Sequence, residues 1–179
     1  MTSRLMDANR SLLLIVDFQT RLMPAISGAA AVIANARRLI GTANLLGVPL
    51  VVTEQNPKGI GHTTPELGLE GRKIIVKHTF GACATPAFID AIGNYPDIVV
   101  AGCEAHVCVL QTTLGLLDLG RRVFLVRDAI GARQDESKET ALARATRSGA
   151  EVVTAEMVIF EWLRSSEHPQ FKAAIALVK

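Results

Sequence analysis

The chain has 179 residues and a mass of 19.2 kDa, 49% of them apolar and 20% charged, which suits one domain burying roughly 70% of the surface its unfolded form exposes. Nineteen Lys and Arg against seventeen Asp and Glu leave a formal charge of +2, the basic residues are scattered, and aromatics are only 4%, so neither an electrostatic nor a base-stacking nucleic-acid binder is expected. No apolar stretch approaches the roughly 20 residues of a membrane span, Met1 to Arg10 shows no signal-peptide pattern, and three cysteines without a disulfide framework fit a reducing cytoplasm.

The first strand is read over Leu12 to Asp17. From about Ala30 to Leu46, Val32, Ile33, Ala36, Leu39, Ile40, Ala43 and Leu46 share one helical face, and Gly47 stands where a C-terminal cap belongs. The second strand is Pro49 to Glu54. Gln55 to Gly71 carries four Gly and two Pro without apolar periodicity and reads as a long, functional loop. The third strand is Lys73 to Lys77, and Thr85-Pro86 reads as an N-cap followed by a first-turn proline, opening a short helix to about Ile92. The fourth strand is Ile98 to Ala101, and a helix runs from near Ala105 to Leu119, stopping at Gly120. The fifth strand is Arg122 to Arg127, a helix covers Ser137 to Ser148 before Gly149, and the sixth strand is Glu151 to Thr154. Ala155 to Arg164 and His168 to Val178 read as the last two helices.

This alternation predicts an α/β fold: a Rossmann-like, doubly wound, six-stranded parallel sheet flanked by helices on both faces, as one domain over residues 1–179. Such sheets bind ligands outside the carboxyl ends of their strands. That rule directs attention to Asp17, Glu54, Lys77, Gly102-Cys103-Glu104 and Asp128.

Cys108 lies about one turn into the helix after strand four. The partial positive charge of a helix N-terminus would stabilise its thiolate and lower its pKa, although a free cysteine is also a small buried hydrophobe. Lys77 ends a buried strand at the crevice, where a cation could hold a thiolate and an anionic intermediate, or simply be solvated. Asp17 ends Leu-Leu-Ile-Val-Asp and could exchange a proton with a thiol, or cap a turn. An acid, a cation and a thiol delivered to one crevice together favour a cysteine hydrolase.

Other candidates carry less. His62, His78, His106 and His168 lack zinc spacing, there is no CxxC, and Gly59-Ile60-Gly61 is neither GxGxxG nor a P-loop, so no metal and no cofactor are expected. Cys83 and Cys103 read as packing residues, while Glu104 and Asp128 read as polar lining or turn residues. Met157, Phe160, Trp162 and Leu163 read as core or subunit contact.

The segments Leu13-Leu14-Ile15-Val16-Asp17-Phe18-Gln19, Val76-Lys77-His78-Thr79-Phe80-Gly81-Ala82 and Ala101-Gly102-Cys103-Glu104-Ala105-His106-Val107-Cys108-Val109 resemble, in order and spacing, the isochorismatase-like cysteine hydrolases. Thr53 to Gly59 and Glu156 to Trp162 resemble the branch of isochorismatase domain-containing proteins. The resemblance implies an Asp-Lys-Cys triad at Asp17, Lys77 and Cys108, with the cysteine attacking a carbonyl, typically of an amide, to form an acyl-enzyme. It also implies an oxyanion hole from the backbone N–H groups of Glu104 and Cys108, and a non-proline cis peptide joining Cys103 to Glu104.

Three departures bear on the substrate. Nicotinamidase relatives carry an Asp and His metal cluster after strand two, where this chain reads Glu54-Gln55-Asn56-Pro57, so metal-assisted chemistry is not expected. True isochorismatases cleave a vinyl ether and need no thiol at the nucleophile position, whereas Cys108 points to a covalent route. Gly81 and Cys83 stand where amidase relatives often have serine and an aromatic. The expected activity is metal-independent hydrolysis of a small amide, carbamoyl or related carbonyl substrate. Gln19, Glu54, Gln55, Phe80 and Thr112 are the expected pocket lining, Thr112 because it follows Cys108 by four residues. A silent metabolite binder and an ether or ester hydrolase are the alternatives. The expected partners are a small-molecule substrate and copies of the same chain in a homo-oligomer, with no membrane.

Overall fold

Apolar runs of Leu, Ile and Val build the centre of the computed structural model, which describes residues 4–178. Six strands, β1 (Ser11–Val16), β2 (Leu50–Gln55), β3 (Ile74–Lys77), β4 (Asp97–Cys103), β5 (Arg122–Gly131) and β6 (Glu151–Val153), lie in the order β3-β2-β1-β4-β5-β6. Every neighbouring pair is parallel. The chain first works outward from β1 through β2 to β3, then returns to β4 on the other side of β1. The sheet therefore reverses its winding between β1 and β4, and the crevice at their carboxyl ends is the place such folds use for ligands.

Helices cover both faces because the strands alternate their side chains between two cores. Leu13 and Ile15 of β1 face α1 (Ala29–Leu46) and α6 (Ala155–Leu163), where Val32, Leu39, Val158 and Trp162 are buried. Leu12, Leu14 and Val16 face α3 (Pro86–Ile92), α4 (Leu110–Asp118) and α5 (Asp135–Arg147), through Phe88, Leu116 and Leu142 among others. The last helix, α7 (Phe171–Val178), meets α6 through Ala174, Ile159 and Leu163. Trp162 donates from Nε1 to Ser11 Oγ at 3.0 Å, pinning α6 to the start of β1, whereas Met157 and Phe160 of the same stripe are exposed.

Gly47 ends α1 at φ 71°, a left-handed cap that glycine takes without strain. Several boundaries differ from the expectation. Thr85 occupies the N-cap of α3 but its side chain caps nothing. The expected loop 55–71 holds a four-residue helix, α2 (Pro57–Ile60), a 3-10 turn at Pro65–Leu67 and an isolated bridge between Gln19 and Thr63. Strands β4 and β5 run to Cys103 and Gly131, past Ala101 and Arg127, because a register shift between Val100 and Gly102 lets the ladder resume at Gly102–Ile130 and Cys103–Gly131. No helix among the described residues is long and apolar enough to cross a membrane.

Candidate active site

Two neighbouring parallel strands and the sheet edge deliver a buried ion pair to the crevice. Asp17 follows β1 with φ 53°, and its N–H donates to Thr53 O at 3.2 Å. On β2, Thr53 and Gln55 share one face by the period of two, so both reach the same spot while Glu54 points away. Thr53 Oγ1 donates to Asp17 Oδ1 at 2.7 Å. Lys77, the last residue of β3 and the register partner of Gln55, donates from Nζ to Asp17 Oδ2 at 2.7 Å, and neither side chain has any solvent exposure. The same ammonium donates to Gln55 Oε1 at 3.1 Å and to Phe80 O at 3.1 Å. With Thr79 O at 3.4 Å the buried amine has four oxygen partners, which hold it in place and offset the cost of taking it from water.

Cys108 reaches this pair from the opposite wall. The segment Ala105–Val109 is a single π-helical turn that runs into α4, and the N–H of Val109 donates to Glu104 O at 3.2 Å, five residues back. Cys108 is 6% exposed. Burial pushes its thiol up to about 12, Asp17 adds to the rise, and Lys77 opposes it. This direction is opposite to the expected lowering by a helix terminus, because the turn is buried and desolvation is the largest influence on the thiol. Asp17, Lys77 and Cys108 are thus brought together.

The remaining residues divide by location. The Cys103–Glu104 peptide is cis. The Glu104 carbonyl accepts from Val107 and Val109, its N–H donates to no acceptor among the described residues, and its carboxylate pairs with Arg133 Nε at 2.9 Å. Gln55 touches Lys77 directly. Gln19 is fully buried and its amide engages backbone: Nε2 donates to Gln55 O and Gly61 O, and Oε1 accepts from Gln55 N at 2.7 Å. It clamps the end of β2 rather than facing the crevice. Glu54 lies on the far side, accepting from Thr63 N at 2.6 Å and Thr63 Oγ1 at 2.8 Å and meeting His62 Nδ1 at 3.2 Å, beside a cavity of about 330 Å³ that also includes Leu69 and Ile74. Phe80 lends its carbonyl to Lys77 and leaves its ring half exposed. Thr112 is fully buried and accepts from Ala82 N at 3.0 Å, tying the turn after β3 to α4. Asp128 holds the start of α6 by accepting from Ala155 N at 2.8 Å.

Sequence reasoning missed Thr53 and Arg133. The alternation along β2 could have placed Thr53 beside Gln55, whereas nothing local marks Arg133. A groove of about 750 Å³ between α1, α7 and residues 65–68 lies away from the trio. No three His, Cys, Asp or Glu side chains converge among the described residues.

Comparison with known proteins gives a consistent picture. The isochorismatase domain family matches residues 11–157. The chain is 35% identical to isochorismatase domain-containing protein 2A of Mus musculus over 170 residues, covering 94% of this chain and 82% of that protein. Its structure is similar to that of the MAR1 ribonuclease of Caenorhabditis elegans, with TM-score 0.92, 36% identity, and coverage of 97% of this chain and 91% of the other. It is also similar to YcaC of Pseudomonas aeruginosa, solved with hexane-2,5-diol and covalent acrylamide, with TM-score 0.91, 26% identity, and coverage of 99% and 93%.

Proposed function

The chain belongs to the isochorismatase domain family, and from that premise we propose that it is a metal-independent cysteine hydrolase of a small amide, carbamoyl or related carbonyl compound. Family membership supports a hydrolase. The observation that carries the finer reading is the buried Lys77–Asp17 pair at 2.7 Å, set against a thiol on which both groups act.

Because burial and Asp17 raise the thiol above its ordinary range, proton removal accompanies attack. Asp17 accepts the Cys108 proton as sulfur adds to the carbonyl carbon, and Lys77 keeps the carboxylate placed and offsets the added negative charge. The N–H groups of Glu104 and Cys108 receive the oxyanion, a donor of this kind being worth about 3 to 4 kcal/mol of transition-state stabilisation. Asp17 then returns the proton to the leaving amine, and water hydrolyses the thioester by the same steps reversed. Covalent acrylamide in the Pseudomonas aeruginosa neighbour supports a reactive group in this fold.

The name of the Caenorhabditis elegans neighbour favours RNA as a second substrate class. The scattered charge and the buried trio argue for a small carbonyl compound instead. The deciding experiment follows ammonia release from a panel of small amides and carbamoyl compounds, and fragment release from RNA, by the wild-type chain and Cys108→Ala. Amide turnover lost in the variant supports the proposal. Amide turnover retained in the variant, or RNA cleavage alone, overturns it.

A further inference from the structure

Glu104 is held through two of its groups by four hydrogen bonds. Its carbonyl is fixed by the N–H groups of Val107 and Val109 at 3.1 and 3.2 Å. Its carboxylate, only 11% exposed, accepts from Arg133 at one oxygen twice: from Nε at 2.9 Å and from the backbone N–H at 3.4 Å. Its own N–H meets no acceptor among the described residues.

The sheet explains how Arg133 comes to be there. Cys103 and Gly131 are the last register partners of β4 and β5, so the next residues of the two strands, Glu104 and Ala132-Arg133, leave the ladder side by side. Gly131 permits this approach: a Cβ there would lie 2.5 Å from Ile26 Cγ2 and 3.1 Å from Cys103 Sγ. Ala132 is fixed in turn by Ser27, whose N–H donates to its carbonyl at 3.0 Å. The Arg133 side chain is 58% exposed, so its value as a surface ion pair for stability is small. What it does hold is the orientation of one residue whose amide is left open.

We propose that Arg133 is a positioning residue for the hydrolase: by gripping the Glu104 carboxylate from outside the crevice, it fixes the direction of the Glu104 N–H toward the developing oxyanion. This rests on the reaction proposed above. Arg133 acts through Glu104, so its loss should weaken steps that build charge on a carbonyl oxygen and spare those that do not.

Two probes separate these cases. With p-nitrophenyl acetate, Cys108 sulfur bonds to the acetyl carbon, its proton passes to Asp17, and the carbon–oxygen bond to p-nitrophenolate breaks through an oxyanion. With methyl methanethiosulfonate, the same sulfur attacks sulfur, methanesulfinate leaves, and no oxyanion forms on carbon. Both adducts are located at Cys108 by peptide mass. Arg133→Ala should slow acylation about 10- to 100-fold, a fraction of what losing an oxyanion donor outright costs, and leave the disulfide-forming rate within about twofold. Arg133→Lys, which keeps a cation near the carboxylate, should recover most of the acylation rate.

If the wild-type chain acylates Cys108 and Arg133→Ala matches it, the proposal is overturned. It is equally overturned if both reactions slow together, since Arg133 then acts on the thiol or on the fold. A wild-type chain that forms the methylthio adduct at Cys108 but no acetyl adduct overturns the hydrolase reading, and this proposal with it.

Discussion

Thr53 and Asp17 are joined by a hydrogen bond of 2.7 Å that occupies the carboxylate oxygen Lys77 does not use. Both oxygens of the proposed base therefore have assigned partners before any substrate arrives. The carboxylate can neither rotate nor drift, which is the condition for a positioned proton acceptor.

Replacing Thr53 with Val keeps the shape and removes the donor. Asp17 Oδ1 then loses its hydroxyl donor in the core, an expected cost of about 1 to 3 kcal/mol in stability. Turnover on the best amide of the panel should fall at least tenfold, as read from steady-state kinetics beside a urea melt. Unchanged kcat would mean that the Thr53 bond does not hold the base.

The Lys77–Asp17 pair makes a sharper claim about stability. Lys77→Met leaves a carboxylate uncompensated in the core and should destabilise the protein by about 3 to 5 kcal/mol, whereas Lys77→Met with Asp17→Asn should regain most of that loss. Urea denaturation of the single and double variants measures it. All of them should be inactive, so recovered stability without recovered turnover separates folding from chemistry. A double variant as unstable as Lys77→Met would contradict the pairing argument.

The thiols give a pH prediction with a definite sign. Burial pushes Cys108 and Cys103 up to about 12 and Cys83 up to about 11, so in the resting protein iodoacetamide should label none of them rapidly at neutral pH. Cys83, half-buried, should react first as pH rises. Asp17 raises the Cys108 thiol, so Asp17→Asn should move its labelling profile toward lower pH even as turnover is lost. Lys77 lowers it, so Lys77→Met should move the profile the other way. Peptide-resolved labelling rates across the alkaline range read both shifts, and rapid labelling of wild-type Cys108 near pH 6 would refute them.

Gly102 tests the seam between the two strands that meet at the crevice. A Cβ there would lie 2.6 Å from Val16 Cβ and 2.7 Å from Val16 O. Val16 and Gly102 immediately precede Asp17 and Cys103, so pushing them apart moves both walls of the site. Gly102→Ala should lose about 1 to 3 kcal/mol, as expected for overpacking, and lose activity beyond what its melting temperature explains.

The sheet was legible because its central strands are buried on both faces and so read as continuous apolar runs, Leu12 to Val16 above all. The end of β5 was not, because Arg127 and Asp128 interrupt the run. Arg127 is exposed on the strand, while Asp128 serves α6. Within the candidate site, the meeting of Asp17, Lys77 and Cys108 was legible because each lies near the end or beginning of an element. Gln19 was misplaced for a physical reason: its partners are the carbonyls of Gln55 and Gly61, 36 and 42 residues away, and backbone carbonyls leave no trace in a sequence. Thr112 was placed by α-helical spacing from Cys108, yet the turn between them is not α-helical throughout.

That turn has a consequence for how the protein tolerates changes in length. A π-turn accommodates one residue more than the α-helical turn it replaces, in the manner of a retained insertion. Removing a single residue from Ala105–Val107 would let the turn close as regular α-helix with both flanks in place, so the rearrangement would fall on the turn itself, Cys108 included. Cys108 would then leave the wall it shares with Asp17 and Lys77, although every one of the three side chains would still be present.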